Sequence, residues 1–124
     1  MSDLQEKLAL LGKKYAQKLI PRFATIRETM EQLCGQTEPQ VETLESLYTI
    51  IHKIHGTAGS YGYEQISTSL GHFEKILIPI LDKARGGDMS GWNADTCEAL
   101  KSDYNEACMD TAFPEELKGQ LVPF

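Results

Sequence analysis

Hydrophobic residues recur every three or four positions along most of the chain, which is the spacing of amphipathic helices. Near the N-terminus the series is Leu4, Leu8, Leu11, Tyr15 and Leu19, followed beyond Pro21 by Phe23, Ile26, Met30 and Leu33. Proline removes a backbone donor and clashes with the preceding turn. The pattern therefore predicts either a short helix followed by a second one, or a single kinked helix, with Gly35 closing the element.

Three more helices are predicted downstream. Thr37 and Gln40 have the spacing of a capping box at the start of the first, and the glycine-rich corner 59–62 ends or bends it. The second stops at Gly86 with a kink at Pro79, and Ser90 is placed to cap the third. The apolar face of the first helix is Val41, Leu44, Leu47, Tyr48, Ile51, Ile54 and Ala58. That of the second is Ile66, Leu70, Phe73, Leu77 and Leu81, and that of the third is Cys97, Leu100, Tyr104 and Cys108.

The fold class follows from these helices and from the short connections between them. No segment has the alternating pattern of a half-buried strand, and short connections favour antiparallel neighbours. We therefore predict an all-α fold, an antiparallel up-down four-helix bundle with an additional short N-terminal helix, formed by residues 1–112. Residues 113–124, with two prolines and a glycine, are a C-terminal tail that either docks or stays loose.

Composition narrows the classes of partner and compartment. The 124 residues carry a formal net charge of −6, which argues against nucleic acid or an anionic membrane as the main partner. No apolar run approaches the ~20 residues of a membrane span, and we expect a cytoplasmic protein. Three cysteines without a metal-binding spacing are expected to be reduced thiols packed as small apolar residues.

The most informative segment is 52–62, HKIHGTAGSYG. On a helix, His52 falls at the solvent edge of the apolar face, with Gly56 and Gly59 on the same strip. A glycine inside a helix costs ~0.5–1 kcal/mol relative to alanine, and bare surface beside the ring would let a partner approach it. Gly59 can equally be read as a helix terminator, whereas Gly56 precedes Ala58, which continues the core face.

This segment resembles the signature of histidine phosphotransfer (HPt) domains, and the resemblance extends over the bundle helices. In that pattern a phospho-accepting histidine is followed four residues later by a small residue and then by a turn rich in small residues. The resemblance implies that His52, which has Gly56 at this spacing, is the phosphorylated residue. Many family members have a lysine three residues after the histidine, where this chain has His55.

The resemblance also implies roles for other residues. Glu74 corresponds to the glutamine or glutamate on the facing helix that bonds the second ring nitrogen of the acceptor; a surface glutamate without a role is the alternative. His55, if protonated, could donate to a phosphoryl oxygen, or could simply be a boundary residue. Lys53 or another nearby cation could supply the charge instead.

The chain contains neither a G-x-x-x-x-G-K-[ST] loop nor the kinase motifs. The phosphoryl group is therefore expected to come from a histidine kinase or receiver aspartate and to leave to a response-regulator receiver domain. This makes the chain a phosphoryl carrier and not an enzyme in its own right. We expect a monomer that holds no cofactor or metal, with the Mg²⁺ for transfer bound by the partner receiver domain.

Two other functions compete with phosphotransfer. His52 and His55 with His72 and Glu74 could form a metal site in the bundle, although the chain lacks the repeated Glu-x-x-His pairs of ferritin-like sites. An HPt-like adaptor that binds and inhibits a kinase without phosphotransfer is the second alternative.

Overall fold

The computed structural model describes residues 3–124, so the first two residues of the predicted unit 1–112 lie outside the description. The helices are α1 (Asp3–Cys34), α2 (Val41–Ala58), α3 (Glu64–Arg85), α4 (Ala94–Cys108) and the short α5 (Glu115–Lys118), with a 3₁₀ turn at Gly59–Tyr61. Residues 3–124 contain no strand. The predicted all-α bundle is confirmed.

Contacts between helices fix their directions. In each neighbouring pair, residues early in one helix meet residues late in the other, so α1, α2, α3 and α4 alternate up and down and α4 returns to α1. The contacts that show this are Tyr15 with Thr57, His55 with Ser67, Glu45 with Arg85, His72 with Asp103, and Cys34 with Cys97.

α1 is one helix that runs through Pro21, so the separate short N-terminal helix is not formed. Pro21 is exposed, whereas Leu19 and Phe23 on either side of it are buried in the core. Packing of one continuous apolar stripe outweighs the loss of a single backbone hydrogen bond at an exposed position.

Burial in α1 begins only at Gly12. Leu4, Leu8 and Leu11 were predicted to continue the core face, but they are at least half exposed. The reason is tertiary, because the first turns of α1 extend beyond the helices that cover the rest of it.

Two predicted helix caps are wrong. α2 begins after Gln40 without a side-chain cap, so Thr37 and Gln40 form no capping box. α4 is capped by Asn93, whose side chain accepts from the Thr96 backbone N–H, and not by Ser90. Asparagine and serine are both good caps, and the turn before α4 places Asn93 at the N-cap position.

The C-terminal segment docks on the bundle. Phe113 and Leu121 are buried, and the Tyr104 hydroxyl donates to the Val122 carbonyl at 3.0 Å. Asn105 accepts from the backbone N–H of Phe124 at 2.7 Å. Residues 113–124 thus cover the groove between α1 and α4.

Cys34 and Cys97 form a disulfide between the end of α1 and the start of α4. The expectation of three reduced thiols is therefore wrong for this pair and holds for the buried Cys108. The two residues are 63 positions apart in sequence but their Cα atoms are 5.9 Å apart in the fold, a proximity that only the packing of α1 on α4 creates.

Among the helices of the described chain, none combines the length and the apolar character that crossing a bilayer requires.

Candidate functional site

His52 stands on the outer side of α2 with 61 % of its side chain exposed. Its Nδ1 is 2.6 Å from Oε1 of Glu74, on the neighbouring α3. One turn earlier on α2, the Tyr48 ring stacks against the imidazole, with 5.5 Å between centroids and 16° between planes. The ring is thus held on one edge and one face, while Nε2 is the nitrogen that Glu74 leaves free.

Glu74 is 9 % exposed and sets the tautomer of His52. Burial by itself raises the pKa of this carboxyl, but hydrogen bonds from His52 and His55 outweigh burial, so that the net pKa lies below its usual value. An ionised carboxylate only accepts hydrogen bonds, so Nδ1 of His52 carries the proton. In the neutral ring Nε2 then holds the lone pair, which makes it a nucleophile.

His55 contacts the same carboxylate. Its Nδ1 lies 2.7 Å from Oε2 of Glu74, so both oxygens of Glu74 are occupied by histidines one turn apart on α2. Its Nε2 lies over Gly71 of α3. The hydrogen bond that the structure records for the His55 ring is therefore with the carboxylate that orients His52. The predicted donation from His55 to a phosphoryl oxygen stays a prediction.

Gly71 makes room for the His55 ring. A Cβ at Gly71 would lie 2.8 Å from Nε2 and 3.0 Å from Cδ2 of His55, closer than non-bonded atoms approach. The space that Gly71 leaves between α2 and α3 is filled by this imidazole.

Gly71→Ala is expected to destabilise the protein by about 1–2 kcal/mol, because the added methyl pushes His55 off Glu74. Urea unfolding would measure this change, and ring nitrogen shifts of His55 would report the lost contact. The matched control is Gly56→Ala, since a Cβ at Gly56 meets nothing within 4 Å. Equal stabilities of the two variants would contradict this role for Gly71.

The two glycines predicted to give a partner access differ in their surroundings. Gly56 is open and lies beside His52 along one groove. A Cβ at Gly59 would touch the Ser67 side chain of α3 at 3.7 Å, and Gly59 does not line that groove. Of the two glycines, Gly56 is therefore the one that leaves open surface next to the His52 ring.

The groove beside His52 runs between α1 and α2 and has a volume of about 470 Å³. Lys53 is on its α2 side, and Lys18 and Arg22 are on its α1 side. Lys53 was predicted from the sequence as a supporting cation, whereas Lys18 and Arg22 were not. The signal was the four-residue spacing of Lys18 and Arg22, which places them on one face of α1.

His72 does not join the other histidines. Its Nδ1 is 2.7 Å from Oδ2 of Asp103 on α4, on the other side of α3 from the pair formed by His52 and Glu74. The described residues contain no group of three or more His, Cys, Asp or Glu side chains placed to hold a metal ion. The arrangement of four residues on which the metal alternative depended is therefore not formed.

No family model, curated protein or solved structure gives a significant match to this chain. What defines the site is its own geometry: an all-α bundle that presents an exposed histidine, anchored through Nδ1 to a buried carboxylate, beside an open groove.

Proposed function

We propose that this chain is a histidine phosphotransfer protein, which carries a phosphoryl group on Nε2 of His52. The donor is a phosphorylated aspartate in a receiver domain or the phosphohistidine of a kinase, and the recipient is a response-regulator receiver aspartate. The single observation that carries this proposal is the position of the exposed His52 ring, anchored by the 2.6 Å contact of Nδ1 with Glu74, beside an open groove lined by cations. His72 has a similar carboxylate contact, with Asp103 at 2.7 Å, but it does not line that groove.

The transfer step balances without any further reactant. The Nε2 lone pair attacks phosphorus in line, the bond between phosphorus and the aspartate oxygen breaks, and the aspartate leaves as a carboxylate. The Nδ1 proton stays on the ring, so the phosphorylated imidazole carries a positive charge. Glu74, ionised and 2.6 Å away, stabilises that charge as it develops.

The partners supply what this chain lacks. A receiver domain brings the acidic pocket and its Mg²⁺, and the kinase brings the ATP site, while this chain contributes a positioned nucleophile. The open surface at Gly56 lets the partner backbone approach the ring, which in-line transfer requires. The protein is a carrier that acts only with these partners.

The test is transfer of labelled phosphate from a panel of phosphorylated receiver domains and hybrid kinases to the intact protein. An acid-labile, base-stable label on this chain is the expected result, because that stability is characteristic of phosphohistidine. If the folded protein takes no label from any donor but binds a kinase and lowers its activity, the inhibitory adaptor replaces this proposal.

Glu74→Ala is expected to slow phosphoryl acceptance about tenfold or more without abolishing it, because the nucleophile remains but loses the carboxylate that orients it. Rapid-quench measurements with a single phosphorylated receiver would give the rate. Glu45→Ala is a suitable control, since Glu45 is on α2 but pairs with Arg85. An unchanged rate for Glu74→Ala would remove Glu74 from the site.

A further inference from the structure

We propose that Lys18 and Arg22 of α1, with Lys53 of α2, form an anion-binding subsite that holds the phosphoryl oxygens of phosphorylated His52. This inference rests on the proposed function and adds the element that binds the transferred group. It differs from the arrangement implied by the HPt resemblance, in which a lysine three residues after the acceptor has this task.

The charge distribution around the groove is the first support. The whole chain has a formal net charge of −6, yet the groove beside His52 is lined by three cations and by no carboxylate. A local excess of positive charge in an acidic protein attracts an anion to that place.

The three cations are also available. Within residues 3–124, Lys18, Arg22 and Lys53 have no carboxylate partner at ion-pair distance, whereas Arg27 and Arg85 are each paired with glutamates. Binding an anion therefore costs them no existing ion pair.

Aromatic contacts fix the α1 side of the groove against α2. The Tyr15 hydroxyl and the Thr57 hydroxyl are 2.5 Å apart, and the Tyr15 ring stacks on Tyr61 with 4.2 Å between centroids. Lys18 and Arg22 follow Tyr15 at three and seven residues, so they share its face of α1. On α2, His52 and Gly56 are one turn apart. The acceptor ring, the open position at Gly56 and the two α1 cations thus line one groove.

The chemistry of these groups fits a phosphoryl group. A phosphoryl group on a side chain has close to two negative charges at neutral pH and three strong acceptor oxygens. An arginine guanidinium donates to two such oxygens at once, and lysines add point charges. His55, at the position of the family lysine, is turned toward Glu74, so α1 supplies the cations that this position does not.

The test uses phosphoramidate, a small donor that needs no protein partner. Nε2 of His52 attacks phosphorus, the phosphorus–nitrogen bond of the donor breaks, and ammonia leaves. The variants are Lys18→Gln, Arg22→Gln and the double variant. The control is Lys7→Gln, which changes the charge equally but lies ~16 Å away along α1. The readouts are the phosphorylation rate by intact mass spectrometry and the protonation constant of the bound phosphoryl group by ³¹P NMR titration.

Each single variant is expected to raise the protonation constant of the phosphoryl group about threefold, and the double variant about tenfold, because cations favour the dianion. Lys7→Gln should match wild type. If wild type is phosphorylated on His52 and the double variant has the same protonation constant and rate, the subsite is refuted while the proposed function stands. If neither phosphoramidate nor any phosphorylated receiver labels wild type, the proposed function and the subsite both fail.

Discussion

Replacing His52 by glutamine is expected to abolish phosphoryl acceptance and to leave the free energy of unfolding within about 1 kcal/mol of wild type. The side chain is 61 % exposed, so little apolar contact is lost. Glu74 keeps its second partner, His55, at 2.7 Å, so the buried carboxylate is not left alone. Glutamine has no nucleophilic nitrogen and cannot form the phosphoryl bond.

The sharpest control is His72→Gln. His72 is also exposed and also bonded through Nδ1 to a buried carboxylate, Asp103 at 2.7 Å, but it lies away from the cationic groove. Transfer to His72→Gln should equal transfer to wild type. His55→Gln should keep the label on His52, since it changes only the support of Glu74.

Labelled transfer and urea unfolding are both measured on His52→Gln, His72→Gln and His55→Gln. Together they distinguish a loss of phosphoryl acceptance from a loss of folding stability. Retention of label by His52→Gln would move the acceptor elsewhere and refute the proposed function. A loss of several kcal/mol in that variant would make His52 a packing residue.

Breaking the disulfide between Cys34 and Cys97 is expected to lower the free energy of unfolding by about 3–4 kcal/mol, since the bond closes a long loop that restricts the unfolded chain. The sequence separation of 63 residues places it among the longer loops for which this entropy is large. For a domain of this size the melting temperature should fall by about 10–15 °C.

The measurement is thermal unfolding of wild type, Cys34→Ser and Cys97→Ser with and without reductant. Wild type should lose stability on reduction, and the two variants should be insensitive to it. Cys108→Ser is the matched control, since Cys108 is a free buried thiol and this variant should keep its response to reductant. No effect of reductant on wild type would show that the bond adds nothing to stability.

Function should be insensitive to the same bond at temperatures well below melting. Cys34 is the last residue of α1, and His52 is eleven residues into α2, ~16 Å along the helix from its start. Phosphoryl acceptance by the reduced protein should therefore match that of the oxidised protein.

Several features of the fold were predictable because they depend on local pattern. The spacing of Leu44, Leu47, Ile51 and Ile54 requires a helix with one buried face, and all four are buried in α2. The same holds for Leu70, Phe73 and Leu77 in α3. Gly62, with φ of 91°, ends the corner before α3 in a conformation that glycine adopts without strain.

The site was predictable in part. The segment from His52 to Gly62 drew attention to the acceptor through its glycines, and the HPt resemblance suggested Glu74 on the facing helix. The structure brings the two within 2.6 Å. Neither periodicity nor composition connected Glu74 to His55, or Gly71 to the His55 ring.

What the sequence determined by itself was the helical class, most of the core and the candidate acceptor, because helical periodicity and a short motif involve residues within a few turns of one another. The tertiary structure decided the continuity of α1 through Pro21, the exposure of Leu4 and Leu8, the pairing of Cys34 with Cys97, and the cations that face His52. Each of these depends on which faces of helices distant in sequence meet. Those contacts are set by the packing of all the helices together, and no short segment of the sequence specifies them.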